Sequence, residues 1–182
     1  MAKFDLEDKM TPEVFILDFA ALINPPTKGR KITTSLVLKE VLNEVEKSIV
    51  QARVESGDIE IMDPKSDFLQ EASEAAIRTG DFPVLSNPDL SLIAIALELK
   101  YKGLSPMILT NDFAIQNVCK FLKIRVKPVG SVGIREQIVW IRICPVCRKK
   151  YPMDYHRDTC PECGSKLTRK ATTKLILRKD NS

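Results

Sequence analysis

Histidine is almost missing from this chain: His156 is the only one among 182 residues, and neither a histidine nor a lysine stands in the apolar body to serve as a general base. Neither GxxxxGKS/T nor GxGxxG occurs, which removes the main support for nucleotide hydrolysis and dinucleotide binding. No stretch reaches the roughly 18 uninterrupted apolar residues of a membrane span. Met1 to Met10 is charged and lacks the apolar middle of a signal peptide, so the expectation is a soluble, cytoplasmic protein with no membrane contact. There is no low-complexity tract, and the only internal repeat is a pair of cysteine turns.

What is present is an apolar fraction of 44%, enough for a sizeable core. The length suits one domain plus a small appendage. The net charge of +4 is unevenly spread: residues 1–141 hold 17 Lys+Arg against 20 Asp+Glu, and residues 142–182 hold 11 against 4. A tail at +7 on a body at −3 points to a polyanion, most plainly nucleic acid; the bland alternative is a solvated surface.

The body is organised around Val14-Phe15-Ile16-Leu17-Asp18, a short apolar run ending in a carboxylate. Such a run reads as a strand buried on both faces, with its acid at the sheet edge where ligands bind. The pattern recurs in Met107-Ile108-Leu109-Thr110, which leads into Asn111-Asp112. Between them, Asn24 to Lys31 reads as a basic loop. Leu36, Val37, Val41, Leu42, Val45 and Ile49 predict one helix capped by Thr33-Thr34-Ser35, with Glu40 early in it and four residues before Glu44. Ile59 to Met62 reads as a short strand, residues 65–79 as a helix, and Leu90 to Leu99 as a buried helix opened by Pro88-Asp89. A helix over Phe113 to Leu122 and a strand at Ile124 to Val126 complete an alternation that implies an α/β body with a parallel sheet. Residues 129–136 are the expected linker, and residues 137–182 the appendage, closed by a strand at Thr172 to Leu177.

Asp18, Glu40, Asp89 and Asp112 would meet at one rim of such a sheet. Each alone is more often a cap or a solvated charge. Together they raise one another's pKa, a conflict that a bound divalent cation removes. Mn²⁺ or Mg²⁺ takes oxygen ligands and suits phosphodiester hydrolysis. Thr110 or Asn111 could orient a water or phosphate, or merely cap the strand. A haloacid-dehalogenase-type phosphatase would need a second acid at position 20, which is Ala.

In the appendage, Cys144-Pro145-Val146-Cys147 and Cys160-Pro161-Glu162-Cys163 are twelve residues apart. Two matching turns each offer two sulfurs, the donor set of one structural Zn²⁺, and redox chemistry usually employs a lone CxxC. His156 between them is either an alternative ligand, an RNA-stacking ring or a solvent-facing loop residue. Cys119 reads as core. Arg148, Lys149, Lys150, Arg157, Arg169 and Lys170 interleave with Tyr151 and Tyr155 and, with Lys28, Arg30 and Lys31 of the basic loop, form the candidate RNA-binding set.

The segments Phe15-Ile16-Leu17-Asp18, Leu38-Lys39-Glu40-Val41, Asn87-Pro88-Asp89-Leu90 and Leu109-Thr110-Asn111-Asp112 resemble the acid pattern of the PIN-domain nucleases. With the CPVC and CPEC turns that follow, the combination is similar to the archaeal Nin-one-binding family of rRNA-processing endonucleases. The resemblance implies a Rossmann-type α/β/α sandwich over residues 1–128 and a small β-rich zinc ribbon over 137–182. It further implies a metal-dependent endoribonuclease that matures the 3′ end of small-subunit (16S) rRNA, with one Zn²⁺ in the ribbon and catalytic Mn²⁺ or Mg²⁺ held by Asp18, Glu40, Asp89 and Asp112. The implied partners are rRNA, the small-subunit precursor and ribosome-assembly factors. A toxin-like PIN ribonuclease acting on tRNA or mRNA, and a non-catalytic RNA-binding scaffold, remain as alternatives.

Overall fold

The computed structural model describes residues 13–129 and 137–174. The readings made for Met1 to Met10, for most of the linker and for Leu175 to Leu177 lie outside these residues.

Strand β1 (Val14–Leu17) is buried along its whole length. It lies between β2 (Arg30–Thr33) and β4 (Pro106–Leu109), both parallel to it, with Ile16 level with Ile32 and Ile108. With β3 (Glu60–Ile61) and β5 (Arg125–Lys127) the strands form a five-stranded parallel sheet, ordered β3-β2-β1-β4-β5. Chain direction out of β1 and β4 therefore delivers Asp18 and Asp112 to the same edge, at the centre of the sheet.

The helices are α1 (Phe19–Ile23), α2 (Ser35–Lys39), α3 (Glu44–Glu55), α4 (Ser66–Thr79), α5 (Asn87–Tyr101) and α6 (Phe113–Phe121). Every residue of α5 from Leu90 to Leu99 is buried. Glu98 tolerates this because its carboxylate receives the Lys102 ammonium at 2.7 Å and the Lys65 N–H at 3.3 Å. No helix among the described residues is long and apolar enough to cross a membrane.

Two expectations are corrected. The single helix predicted from Leu36 to Ile49 is two, because the Asn43 side chain accepts from Val45 N and Glu46 N and starts α3 afresh. Leu42, Val45 and Ile49, the later members of the apolar period, are exposed, and α3 buries Val50 instead. Arg30 and Lys31, read as loop, belong to strand β2.

The second sheet is antiparallel, ordered β7-β6-β8, from β6 (Gln137–Ile143), β7 (Lys150–Tyr151) and β8 (Thr168–Lys174). It meets the first unit at the end of α4. Gly80, at φ 83°, closes that helix, and a Cβ placed on it would collide with Trp140. The neighbouring Asp81 is buried and accepts Trp140 Nε1 at 2.8 Å and Asn117 Nδ2 at 2.6 Å. Arg169 lies 3.8 Å above the Trp140 ring and reaches Asp81 at 3.4 Å.

Candidate active site and metal centre

Asp18 ends the buried β1 and caps α1, its Oδ1 accepting Phe19 N at 2.6 Å. Its Oδ2 accepts the Thr110 hydroxyl at 2.5 Å, and Thr110 Oγ1 in turn accepts Asp112 N at 2.9 Å. Asp112 caps α6, with Oδ1 accepting Ala114 N at 2.6 Å and Ile115 N at 3.2 Å. Asp89 lies in the first turn of α5, where Ser86 N and Ser86 Oγ both donate to its Oδ2 at 2.7 Å in a capping box. Glu40 closes α2 and is exposed. Behind the rim, buried Thr34 and Ser91 hydroxyls meet at 2.9 Å and tie the start of α2 to the first turns of α5.

These segments bring the acids within electrostatic reach of one another. Burial raises the Asp18 pKa; the Thr110 hydroxyl and Phe19 N–H pull it down, and the charges of Asp89 and Asp112 push it up again. Glu40 is raised by desolvation, then by Asp89 and Asp18. The cluster is open rather than tight: among the described residues, only the four cysteines form a group of three or more candidate ligands with atoms all within 4.8 Å. An open carboxylate rim fits a hard cation that keeps several of its waters.

Of the two residues expected to orient a water or to cap, Thr110 joins two rim acids, and Asn111 Oδ1 accepts Val129 N at 2.8 Å. Thr34, expected among the capping residues, is the N-cap of α2, its hydroxyl accepting Val37 N at 3.2 Å; Ser86, Ser91 and Asp81 were not singled out in sequence. Of these three, Ser86 carried a readable signal, the Ser-x-x-Asp spacing of a capping box ahead of an apolar run.

Cys144, Cys147, Cys160 and Cys163 stand together as the spacing predicts. Cys144 Sγ lies 3.3 Å from Cys163 Sγ and Cys147 Sγ 3.4 Å from Cys160 Sγ, far beyond the roughly 2.05 Å of a disulfide. Around a tetrahedral ion with Zn–S bonds of about 2.3 Å, sulfurs stand about 3.8 Å apart, so the donor set fits such an ion. The Tyr151 hydroxyl, 3.1 Å away, and then the Glu162 and Cys163 N–H groups draw the Cys160 thiol down to about 6. His156 is exposed and its ring is tilted against Tyr155, outside the sulfur cluster. Cys119 is core, its thiol pushed up by burial.

The candidate RNA-binding cations divide. Lys31 is buried and paired with Asp58, so it cannot present its ammonium to a backbone and leaves the set. Arg30 is engaged by both Glu60 oxygens, at 2.9 and 2.8 Å, Lys149 by Glu162 at 2.6 Å, and Arg169 by Trp140 and Asp81. Lys28, Arg148, Lys150, Arg157 and Lys170 are exposed, with no ion pair of their own among the described residues.

Residues 15–99 match the family model of the PIN domain of ribonuclease. The chain is 35% identical over 171 residues to Endoribonuclease Nob1 of Methanocaldococcus jannaschii, covering 92% of this chain and 82% of that protein. With Endoribonuclease Nob1 of Methanothermobacter thermautotrophicus it shares 32% over 157 residues, 85% of this chain and 91% of that one. Similarity to Ribonuclease VapC1 of Thermoplasma acidophilum, 32% identical, extends over 111 residues, 61% of this chain and 54% of that protein.

Proposed function

Because this chain belongs to the Nob1 endoribonuclease family, with a PIN domain as its nuclease unit, we propose that it matures the 3′ end of small-subunit (16S) rRNA in the cytoplasm, its cysteine-bearing sheet gripping the rRNA. Asp18, Glu40, Asp89 and Asp112 are the proposed ligands of Mn²⁺ or Mg²⁺, and Cys144, Cys147, Cys160 and Cys163 those of one Zn²⁺. The observation that carries the reading is the mutual electrostatic contact of acids from four separate segments at the carboxyl edge of a parallel sheet.

A bound divalent cation supplies an activated water and neutralises charge on the phosphodiester as it is cleaved. The chain's own part is placement. Thr110 holds one oxygen of Asp18, and the caps fix Asp112 and Asp89 by backbone N–H groups. These three acids are therefore held at the ends of rigid elements, and Glu40 stands at the end of α2. Lys28, Arg148, Lys150, Arg157 and Lys170 are the proposed phosphate contacts, with precursor small subunits and their assembly factors as partners. The toxin-like alternative has less support, since the VapC1 similarity reaches 61% of this chain against 92% for a Nob1 relative.

The test is cleavage of a precursor rRNA fragment carrying the 16S 3′ end, with Mn²⁺. Wild type is expected to cut at one position, and Asp112→Asn to lose about 100-fold or more while keeping its fold, since an Asn oxygen still caps α6. Full-rate cleavage in excess EDTA would sink the metal assignment. Binding without cleavage by wild type would favour the scaffold, and equal cutting of tRNA the toxin-like enzyme.

A further inference from the structure

Two exposed phenylalanines lie on segments that carry or lead to rim acids, Phe113 at 60% and Phe82 at 43% exposure. Phe113 directly follows Asp112 and opens α6. Phe82 opens the 3₁₀ turn Phe82–Val84, which leads to Ser86, the residue that holds Asp89. The bond from Asn117 to Asp81 ties the two places together. Phe82 is next to Asp81, and Phe113 lies one turn from Asn117 on the same face of α6, about 6 Å of rise nearer the rim. Asp81 also receives Trp140 of the second sheet, so the segments that carry the two rings meet at the residue where that sheet docks.

Leaving such rings partly in water forgoes hydrophobic free energy that burial would supply. What they offer in return follows from their surroundings. Unneutralised carboxylates repel phosphates, so a strand approaching Asp89 and Asp112 gains from a hold that carries no charge. Stacking of a base on an aromatic face provides one. A duplex keeps its bases stacked on each other, and only an unpaired base can use these rings.

We propose that Phe82 and Phe113 are positioning residues that stack unpaired bases of the RNA beside the catalytic rim. The inference rests on the endoribonuclease reading, and commits the patch to single-stranded RNA rather than to a protein. It is tested with the full chain carrying Asp18→Asn, to prevent cutting, and a single-stranded oligoribonucleotide with 2-aminopurine at successive positions. Phe82→Leu and Phe113→Leu keep the apolar volume but lose the ring. Each is expected to weaken binding about tenfold and relieve 2-aminopurine quenching at one position, with the salt dependence of binding unchanged. Phe82→Tyr and Phe113→Tyr are expected to bind and quench like the parent. Phe121→Leu, at the far end of α6 and also 43% exposed, is expected to change neither.

Leu variants that bind and quench like their parent would overturn the proposal, as would equal weakening by Phe121→Leu. If they match the parent on RNA but lose capture of a ribosome-assembly protein, the patch is a protein site and the proposal fails. Cleavage by the wild-type chain reads the underlying activity separately: cutting with unaffected Leu variants removes the stacking step alone.

Discussion

The Thr110 hydroxyl donates to Asp18 and accepts the Asp112 N–H, so it fixes two acids from different strands with one oxygen. Thr110→Val keeps the shape and removes both bonds. The expected result is a loss of about 1–3 kcal/mol in a denaturant titration and a roughly 10–100-fold slower cleavage. The raised carboxyls at the rim add a pH dependence. A group whose folded pKa lies above its ordinary value, 3.8 for Asp18 and 4.5 for Glu40, favours the fold at low pH, and that contribution is lost as pH rises through the raised value. Asp18→Asn is therefore expected to melt progressively higher than wild type as pH rises from about 4 to 7 without divalent metal, by about 2–4 °C for each kcal/mol of relieved repulsion. Added Mn²⁺ is expected to reverse the order. Melting curves that stay parallel across that range would refute it. Asp18 and Asp112 were legible in the sequence because each follows an apolar strand. The Thr110 bridge was not, since a hydroxyl after a strand looks the same whether it caps a chain end or holds a neighbour's acid.

At the scale of elements, the cysteine turns were readable because their chemistry is local: two residues between sulfurs suffice to define the donor pair. The hydroxyl that supports them was not. Tyr151 lies on β7, stacked on Tyr155 at 4.7 Å between centroids, and its bond to Cys160 depends on how the sheet closes. Tyr151→Phe keeps the stacking and is expected to lower Zn²⁺ affinity by about 10–100-fold in a chelator competition, with the melt of the parallel-sheet unit unchanged. An unchanged affinity would count against a supporting role. Helical periodicity was the less reliable guide. Leu36 to Ile49 keeps the period of one amphipathic helix, yet Asn43 outcompetes that pattern by capping α3 locally, and the outer half of the stripe faces solvent. Strand β2 was missed because parallel pairing with β1 can recruit charged residues such as Arg30 and Lys31 once Glu60 and Asp58 accompany them.

Across the whole molecule, the joint at Asp81 links the two sheets through one buried carboxylate. Its Trp140 partner is the only tryptophan, so the joint has a built-in reporter. Asp81→Ala is expected to red-shift tryptophan emission and to cost about 1–3 kcal/mol from the indole N–H left without its acceptor. Unaltered emission would mean that the sheets hold together without this contact. No sequence pattern marks Asp81 among the acids, since its value comes from a residue far along the chain. The buried helix α5 has a further consequence for how this enzyme ages. Asp89 stands in the first turn of a helix with no solvent-facing side from Leu90 to Leu99, so the amides of that span are expected to exchange with deuterium only when the entire unit opens. Warming is thus expected to release Asp89 only at wholesale collapse, with no earlier temperature at which its helix alone goes slack.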